Sequence, residues 1–278
     1  MSDYLVIDSD NYKASGIDAF FFPGGEPHVR IPDFRGKRVL LFLKLRTWND
    51  AGLAACLMDA LGEQINFVTF IPYFPGARQD RTDGFTPTTK AIYKKLLGSP
   101  TFVFDEHSLK VSTWAKNFHF TNLKIEIKDD VVGIIAPDKG AEDRALAFRD
   151  TFYPEAGFIQ ADKTRDFATG ALTGYKIPKL TDIGRYIIVD DICDGGGTFN
   201  LLANAFDNDL VGNKSKLELF VSHGIFSKGV RALSPKIEHI TTTNSWCDLL
   251  NIEAAEGYKA VNRLTVLLLE QLFDSIMV

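Results

Sequence analysis

The feature that most restricts how this chain can fold is the steady return of short apolar runs, each followed by a stretch of helical spacing. Residues 38–45 (RVLLFLKL) read as a buried strand, 49–61 (NDAGLAACLMDAL) as a helix, and 64–74 (QINFVTFIPYF) as a strand again. A polar loop with glycine and proline fills 75–87. A helix closed by Gly98 is expected over 88–97, and a further strand over 101–107. The rhythm continues with strands at 131–138 (VVGIIAPD), 157–163 (GFIQADK), 186–191, 216–223 and 237–243, and a last long helix is expected over 262–277. Apolar strands alternating with helices predict an α/β protein built on mostly parallel sheets flanked by helices. In such sheets ligands bind beyond the carboxyl ends of the strands. Arg78, His107, Asp138, Lys163 and Asp190 all fall at or just after such ends.

Composition narrows the function classes. The chain has 278 residues, enough for one large domain or two moderate ones. A formal net charge of −5 argues against a nucleic-acid surface. Cys56, Cys193 and Cys247 are far apart and show no CxxC spacing, so neither a disulfide framework nor a zinc site is expected, and the cysteines read as small core or loop residues. A reducing, cytoplasmic setting is the plain expectation. No apolar run approaches the ~18 residues of a membrane span, and the start MSDYLVIDSDNYKASG lacks the regions of a signal peptide.

The densest chemistry lies in YIIVDDICDGGGTF, residues 186–199. An apolar strand delivers Asp190 and Asp191 to the ligand edge. Gly195, Gly196 and Gly197 let backbone N–H groups turn inward without Cβ clashes. These N–H groups, the N-terminus of a following helix and the Thr198 hydroxyl favour an anion. Carboxylates beside a phosphate would repel it unless they accept hydrogen bonds from sugar hydroxyls or a metal ion intervenes. The loop therefore suits a phosphorylated ribose. No lysine follows the glycines, which excludes a Walker A loop, and the spacing is not GxGxxG.

IIVDDICDGGGT resembles the ribose-phosphate motif of type I phosphoribosyltransferases and, more closely, that of ribose-phosphate diphosphokinases (PRPP synthetases). FIPYFPGARQDR (70–81) is similar to that family's ATP-site segment. FFPGGEPHVRI (21–31), FDEH (104–107), APDKGAEDRA (136–145), DKTR (162–165) and SHGIFS (222–227) also match, in the family's order. The resemblance implies two tandem phosphoribosyltransferase-like domains with the site between them. The first spans 1–125 and the second 126–255, with 256–278 a C-terminal helix that packs on the first. It also implies Mg²⁺-dependent transfer of the β,γ-diphosphoryl group of ATP to the anomeric hydroxyl of a ribose 5-phosphate unit, releasing AMP.

Family roles carry over to matching positions. Arg78 and Gln79 resemble the pair that binds the ATP base and adjoining groups. Phe22 and Glu26 resemble adenine contacts supplied by a neighbouring subunit, which implies a homo-oligomer. His107 resembles the histidine that meets the Mg-ATP phosphates, and Asp138 the aspartate around a second magnesium. Lys163 and Arg165 match the basic pair that stabilises the transferring group. Asp190, Asp191, Asp194, Gly195, Gly196, Gly197 and Thr198 match the ribose 5-phosphate loop. Asp138 also reads as the cap of a helix starting near Gly140, and both roles stay open. His28, His119 and His239 read as structural or surface residues, and His223 is assigned no chemistry.

The chain departs from the family at informative places. Asp-Thr-x-Gly-Thr becomes Asp194-Gly195-Gly196-Gly197-Thr198, so a hydroxyl-bearing residue is replaced by Gly195. The FSDGE-like segment reads FPGGE, with Gly24 in place of an acid. The loop after ARQDR is short (TDGFTPTT). Besides a PRPP synthetase, these changes allow the same transfer to a larger acceptor such as ADP-ribose, or a non-catalytic binding relative. Retention of His107, Lys163 and Arg165 argues against the last.

Overall fold

The computed structural model describes residues 4–76, 78, 88–96, 101–107, 115–165, 172–257 and 262–277. The chain divides into two units, residues 1–122 with 269–278, and residues 123–268.

Unit 1 is built on a five-stranded parallel sheet of β1 (Leu5–Asp8), β4 (Val39–Phe42), β5 (Phe67–Ile71), β6 (Thr101–Phe104) and β7 (Lys116–Phe118), in that order. All of β4 is buried, as expected of a strand covered on both faces. Helix α1 (Trp48–Gly62) begins with a capping box. The Thr47 hydroxyl accepts the Asp50 N–H at 3.2 Å, and the Asp50 carboxylate accepts the Thr47 N–H at 2.7 Å. Its Ala51, Ala54, Leu57, Met58 and Leu61, three or four apart, form the buried stripe. Helix α2 covers Thr88–Leu96. Between β1 and β4 a hairpin of β2 (Asp18–Phe21) and β3 (Pro27–Arg30) turns through Phe22–Glu26, where Gly25 adopts φ +89°. Strand-and-helix periodicity did not reveal this hairpin.

Unit 2 holds a six-stranded parallel sheet: β15 (Leu264–Leu267), β14 (Ile237–Thr243), β13 (Lys216–Gly224), β12 (Arg185–Cys193), β8 (Val131–Ala136) and β9 (Gly157–Gln160), in that order. Helix α3 (Glu142–Phe152) packs against β8, β9 and β12, and α4 (Gly197–Asp207) packs against β11 (Leu172–Lys176). Helix α5 covers Leu249–Glu256. The core runs through Tyr186, Ile188, Leu202, Phe206, Leu219 and Ile240.

Two expectations are corrected. The run 157–163 is not one strand. It breaks at Ala161, and β10 (Asp162–Arg165) leaves the sheet to pair antiparallel with β11. Nor do residues 256–278 form one helix. Residues 264–267 are β15, parallel to β14, and only a 3-10 turn (Leu269–Leu272) and the one-turn α6 (Phe273–Ile276) follow. The β-branched Thr265 and Val266 suit a strand, and the open edge of β14 supplied the partner. The Ile240 N–H donates to the Arg263 carbonyl at 2.7 Å, and the Asn244 N–H to the Leu267 carbonyl at 3.0 Å. Within unit 1, the Phe273 ring lies 5.2 Å from Phe42 and 6.2 Å from Phe70, centroid to centroid.

Candidate active site

The unit 2 sheet has one topological switch point. From β8 the chain goes outward to β9, then returns to the other side of β8 as β12. The crevice beyond the carboxyl ends of β8 and β12 is where such a sheet offers a ligand site. Asp138 follows β8, Asp190 and Asp191 lie within the last four residues of β12, and the Asp194–Thr198 segment leaves it. Gly196 is the N-cap of α4 at φ +75°, a conformation open to glycine at little cost. A Cβ on it would lie 2.6 Å from the Leu233 side chain, so the residue answers both a torsional and a steric demand. No side chain caps this helix, and Gly197 opens onto free space. The first-turn N–H groups are thus presented to a ligand at the positive end of the helix.

Asp191 is buried, and the Asp190 carboxylate accepts its N–H at 2.9 Å. Burial first, and then the charge of Asp191 beside it, push the Asp190 carboxyl well above the usual carboxylate range. Two adjoining acids present carboxylate oxygens to which the hydroxyls of a vicinal diol can donate. Cys193 is fully buried. Burial and the neighbouring Asp190 and Asp194 push its thiol up to about 12, which makes it a packing residue rather than a nucleophile.

Asp138 does two jobs. Its Oδ1 accepts the Gly140 and Ala141 N–H groups at 2.8 and 3.2 Å, capping the 3-10 turn that leads into α3. Its Oδ2 is in direct contact with the Lys163 ammonium. Burial alone would raise its pKa, but the Lys163 contact and the two N–H donors hold the carboxyl below its ordinary value. The structure therefore brings Lys163 to Asp138, from a two-stranded ribbon that sequence periodicity did not separate from the sheet. A register shift between Thr164 and Arg165 interrupts the alternation there. The Arg165 side chain lies outside the described residues.

In unit 1, His107 and Arg78 are both exposed, after the carboxyl ends of β6 and β5. Asp105, two residues before His107, is buried with φ +43°, a left-handed conformation that bends the chain sharply as it leaves β6. Gln79 lies outside the described residues. Phe22 is 44% exposed at the hairpin turn, where its N–H donates to the Glu26 carbonyl at 2.9 Å. Its ring joins Phe20 and His28 in an aromatic cluster. At the same sheet edge, Asp10 accepts from Lys44 at 2.8 Å and from Arg46 at 2.6 Å, a basic pair that carried no signal in the motifs. His223 is buried, its Nδ1 2.9 Å from the Ser245 hydroxyl, and His239 contacts Thr265 at 2.9 Å, both structural roles.

No family model matches the chain. Among curated proteins, it is 29% identical over 246 residues to the ribose-phosphate pyrophosphokinase of Maricaulis maris, covering 81% of this chain and 77% of that one. It is 29% identical over 241 residues to that of Pyrococcus furiosus, covering 81% and 84%. It is 32% identical over 197 residues to that of Saccharolobus solfataricus, covering 64% and 66%. Among solved structures, a phosphoribosylpyrophosphate synthetase from Mycobacterium smegmatis superposes with a TM-score of 0.74 over 99% of this chain and 98% of that one. At 18% identity the likeness speaks to the fold.

Proposed function

We propose that this chain, which belongs to the ribose-phosphate pyrophosphokinase family, transfers the β,γ-diphosphoryl group of ATP to the anomeric hydroxyl of a ribose 5-phosphate unit, forming PRPP or a PRPP-like product and AMP. The observation that carries this reading is the meeting, at one switch point, of an anion-presenting loop, an acid pair and the Asp138–Lys163 contact. The relatives' name describes a diphosphotransferase that makes PRPP, and that activity is assigned to this chain on the strength of those residues.

The acceptor phosphate is held by the N–H groups of Gly195–Thr198 and the Thr198 hydroxyl, and its ribose diol by Asp190 and Asp191. The anomeric oxygen bonds to the β-phosphorus of ATP. The bond from that phosphorus to the α–β bridging oxygen breaks, and AMP leaves with the electron pair. Transfer of this kind rests on positioning and charge neutralisation. Lys163 and Arg165 supply positive charge to the moving group, while Arg78, Gln79, Phe22, Glu26 and His107 hold the nucleotide. Phe22 and Glu26, on an exposed hairpin turn, are assigned to the nucleotide of a neighbouring subunit in a homo-oligomer.

Among the described residues, no group of three or more His, Cys, Asp or Glu is arranged to hold a metal alone. Asp138, an ionised oxygen donor, fits Mg²⁺, which takes few protein ligands when it keeps waters and substrate phosphates. His107 is assigned to the Mg²⁺ of the ATP phosphates and Asp138 to a second Mg²⁺, and each ion would supply charge neutralisation at the phosphate oxygens. No helix among the described residues is long and apolar enough to cross a membrane, and the cytoplasmic assignment rests on cysteine usage.

Gly195 favours a second reading, the same transfer to an acceptor with a substituted 5-phosphate such as ADP-ribose, because the loop lacks a side chain where the family carries a hydroxyl. The test is AMP formation from Mg-ATP with ribose 5-phosphate and ADP-ribose in parallel, products identified by mass. AMP with ribose 5-phosphate alone establishes a PRPP synthetase, and AMP with ADP-ribose alone establishes the larger acceptor. AMP with neither refutes both.

A further inference from the structure

The space left by Gly195 is covered by a lysine. The Lys228 side chain lies across it, with Cε, Cδ and Cγ at 3.4, 3.5 and 3.8 Å from where a Cβ on Gly195 would stand. Lys228 sits in the turn after β13, and main-chain bonds tie that turn to the loop. The Ile225 and Phe226 N–H groups donate to the Cys193 carbonyl at 2.9 and 3.0 Å, and the Ser227 N–H donates to the Asp194 carbonyl at 3.2 Å. On the far side, the Glu256 carboxylate accepts the Val230 and Arg231 N–H groups at 2.8 and 2.9 Å. The backbone that carries Lys228 is therefore tied to the loop on one side and to Glu256 of α5 on the other. Its side chain is exposed and makes no hydrogen bond or ion pair among the described residues. A solvated lysine ordinarily extends into water to spread its rotamers. This one keeps its stem near Gly195, with the ammonium one covalent bond beyond an atom 3.4 Å from where a Cβ would stand, beside the uncapped N-terminus of α4.

We propose that Lys228 is a phosphate-binding residue of the acceptor site, supplying a cation where Gly195 leaves the loop without a hydroxyl. This deepens the acceptor reading above and rests on it. The ligand chemistry is a phosphate on the 5-oxygen of a ribose, as a monoester or as the first phosphate of a diphosphate. Without a Cβ at 195, the lysine stem packs over the loop and the ammonium reaches the same anion as the backbone N–H groups. A compact ammonium contributes charge without fixed donor geometry, so it serves either phosphate form. A Cβ at 195 would already be in van der Waals contact with the stem, so the further atoms of a threonine would compete with the lysine for the same space.

The experiment titrates the full chain calorimetrically with ribose 5-phosphate, ADP-ribose and unphosphorylated ribose, for wild type, Lys228→Met and Lys228→Arg. A charge-assisted contact predicts that Lys228→Met weakens binding of the phosphorylated ribose by roughly ten- to a hundredfold. Lys228→Arg should recover most of the loss, and the KM for ATP should not move. Met keeps the apolar stem, so packing alone predicts no change. In a Gly195→Thr background, where the stem is displaced, Lys228→Met should add less than about twofold, because the two residues share one site. The acceptor that shows the loss identifies the phosphate form. Wild-type binding left unchanged by Lys228→Met overturns the role of Lys228 while the acceptor reading stands. A wild type that binds neither phosphorylated ribose overturns the acceptor reading, and the role of Lys228 with it.

Discussion

Asp138 is at once a cap and a charge, and two substitutions separate these. Asp138→Asn keeps an oxygen where Oδ1 now accepts the Gly140 and Ala141 N–H groups, but removes the charge that faces Lys163. Asp138→Ala removes both. Loss of a cap costs about 1 kcal/mol, within roughly 0.5–2. The ion pair joins side chains 29% and 31% exposed, so solvent screening holds it to at most about 1 kcal/mol. Asp138→Ala should therefore destabilise the protein by about 0.5–3 kcal/mol, and Asp138→Asn by less than about 1 kcal/mol. Urea unfolding measures both. The pH dependence follows from the lowered pKa. A carboxyl depressed in the folded state contributes stability that is present above its unfolded value, near 3.8, and is lost as the pH falls through the folded one. That acid-side loss should vanish in Asp138→Asn. Activity divides the other way, since both variants lose the ionised oxygen assigned to the metal-bound phosphates and both should lose AMP-forming turnover. If Asp138→Asn were as destabilised as Asp138→Ala, the capping argument would be wrong. If it kept wild-type turnover, the metal assignment would be wrong.

Gly196→Ala combines a left-handed residue with a Cβ 2.6 Å from Leu233. The torsional cost of about 1–2 kcal/mol and an overpacking cost of about 1–3 kcal/mol predict about 2–5 kcal/mol of destabilisation in urea melts. A value near zero would mean that the loop relaxes freely. Lys163→Met should lower kcat by roughly a hundred- to a thousandfold, the effect of removing one preorganised donor at a developing charge, and unchanged turnover would remove Lys163 from the mechanism.

The parallel sheets and the loop after β12 were legible because each is written locally. VLLF in β4 is buried on both faces, and such strands advertise themselves as unbroken apolar runs. The Thr47–Asp50 capping box needs only neighbours in sequence. The hairpin of β2 and β3 escaped because its strands are short and partly exposed, with no regular alternation. The ribbon of β10 and β11 escaped because two strands, Gly157–Gln160 and Asp162–Arg165, are separated by Ala161 alone, and only their partners tell them apart. Residues 264–267 form a strand where the spacing predicts a helix, because leucine-rich runs satisfy either period and the edge of β14 decided between them.

The amino-acid sequence alone determined the α/β alternation, the acid pair at the end of an apolar strand and the glycine loop that follows it, because burial and backbone torsions act on residues close along the chain. Only the tertiary structure decided which strands pair, that Lys163 meets an aspartate 25 residues away, and that Lys228 covers Gly195. These contacts join segments whose spacing carries no period, and a side chain's partner across such a gap is chosen by the packing of the whole sheet.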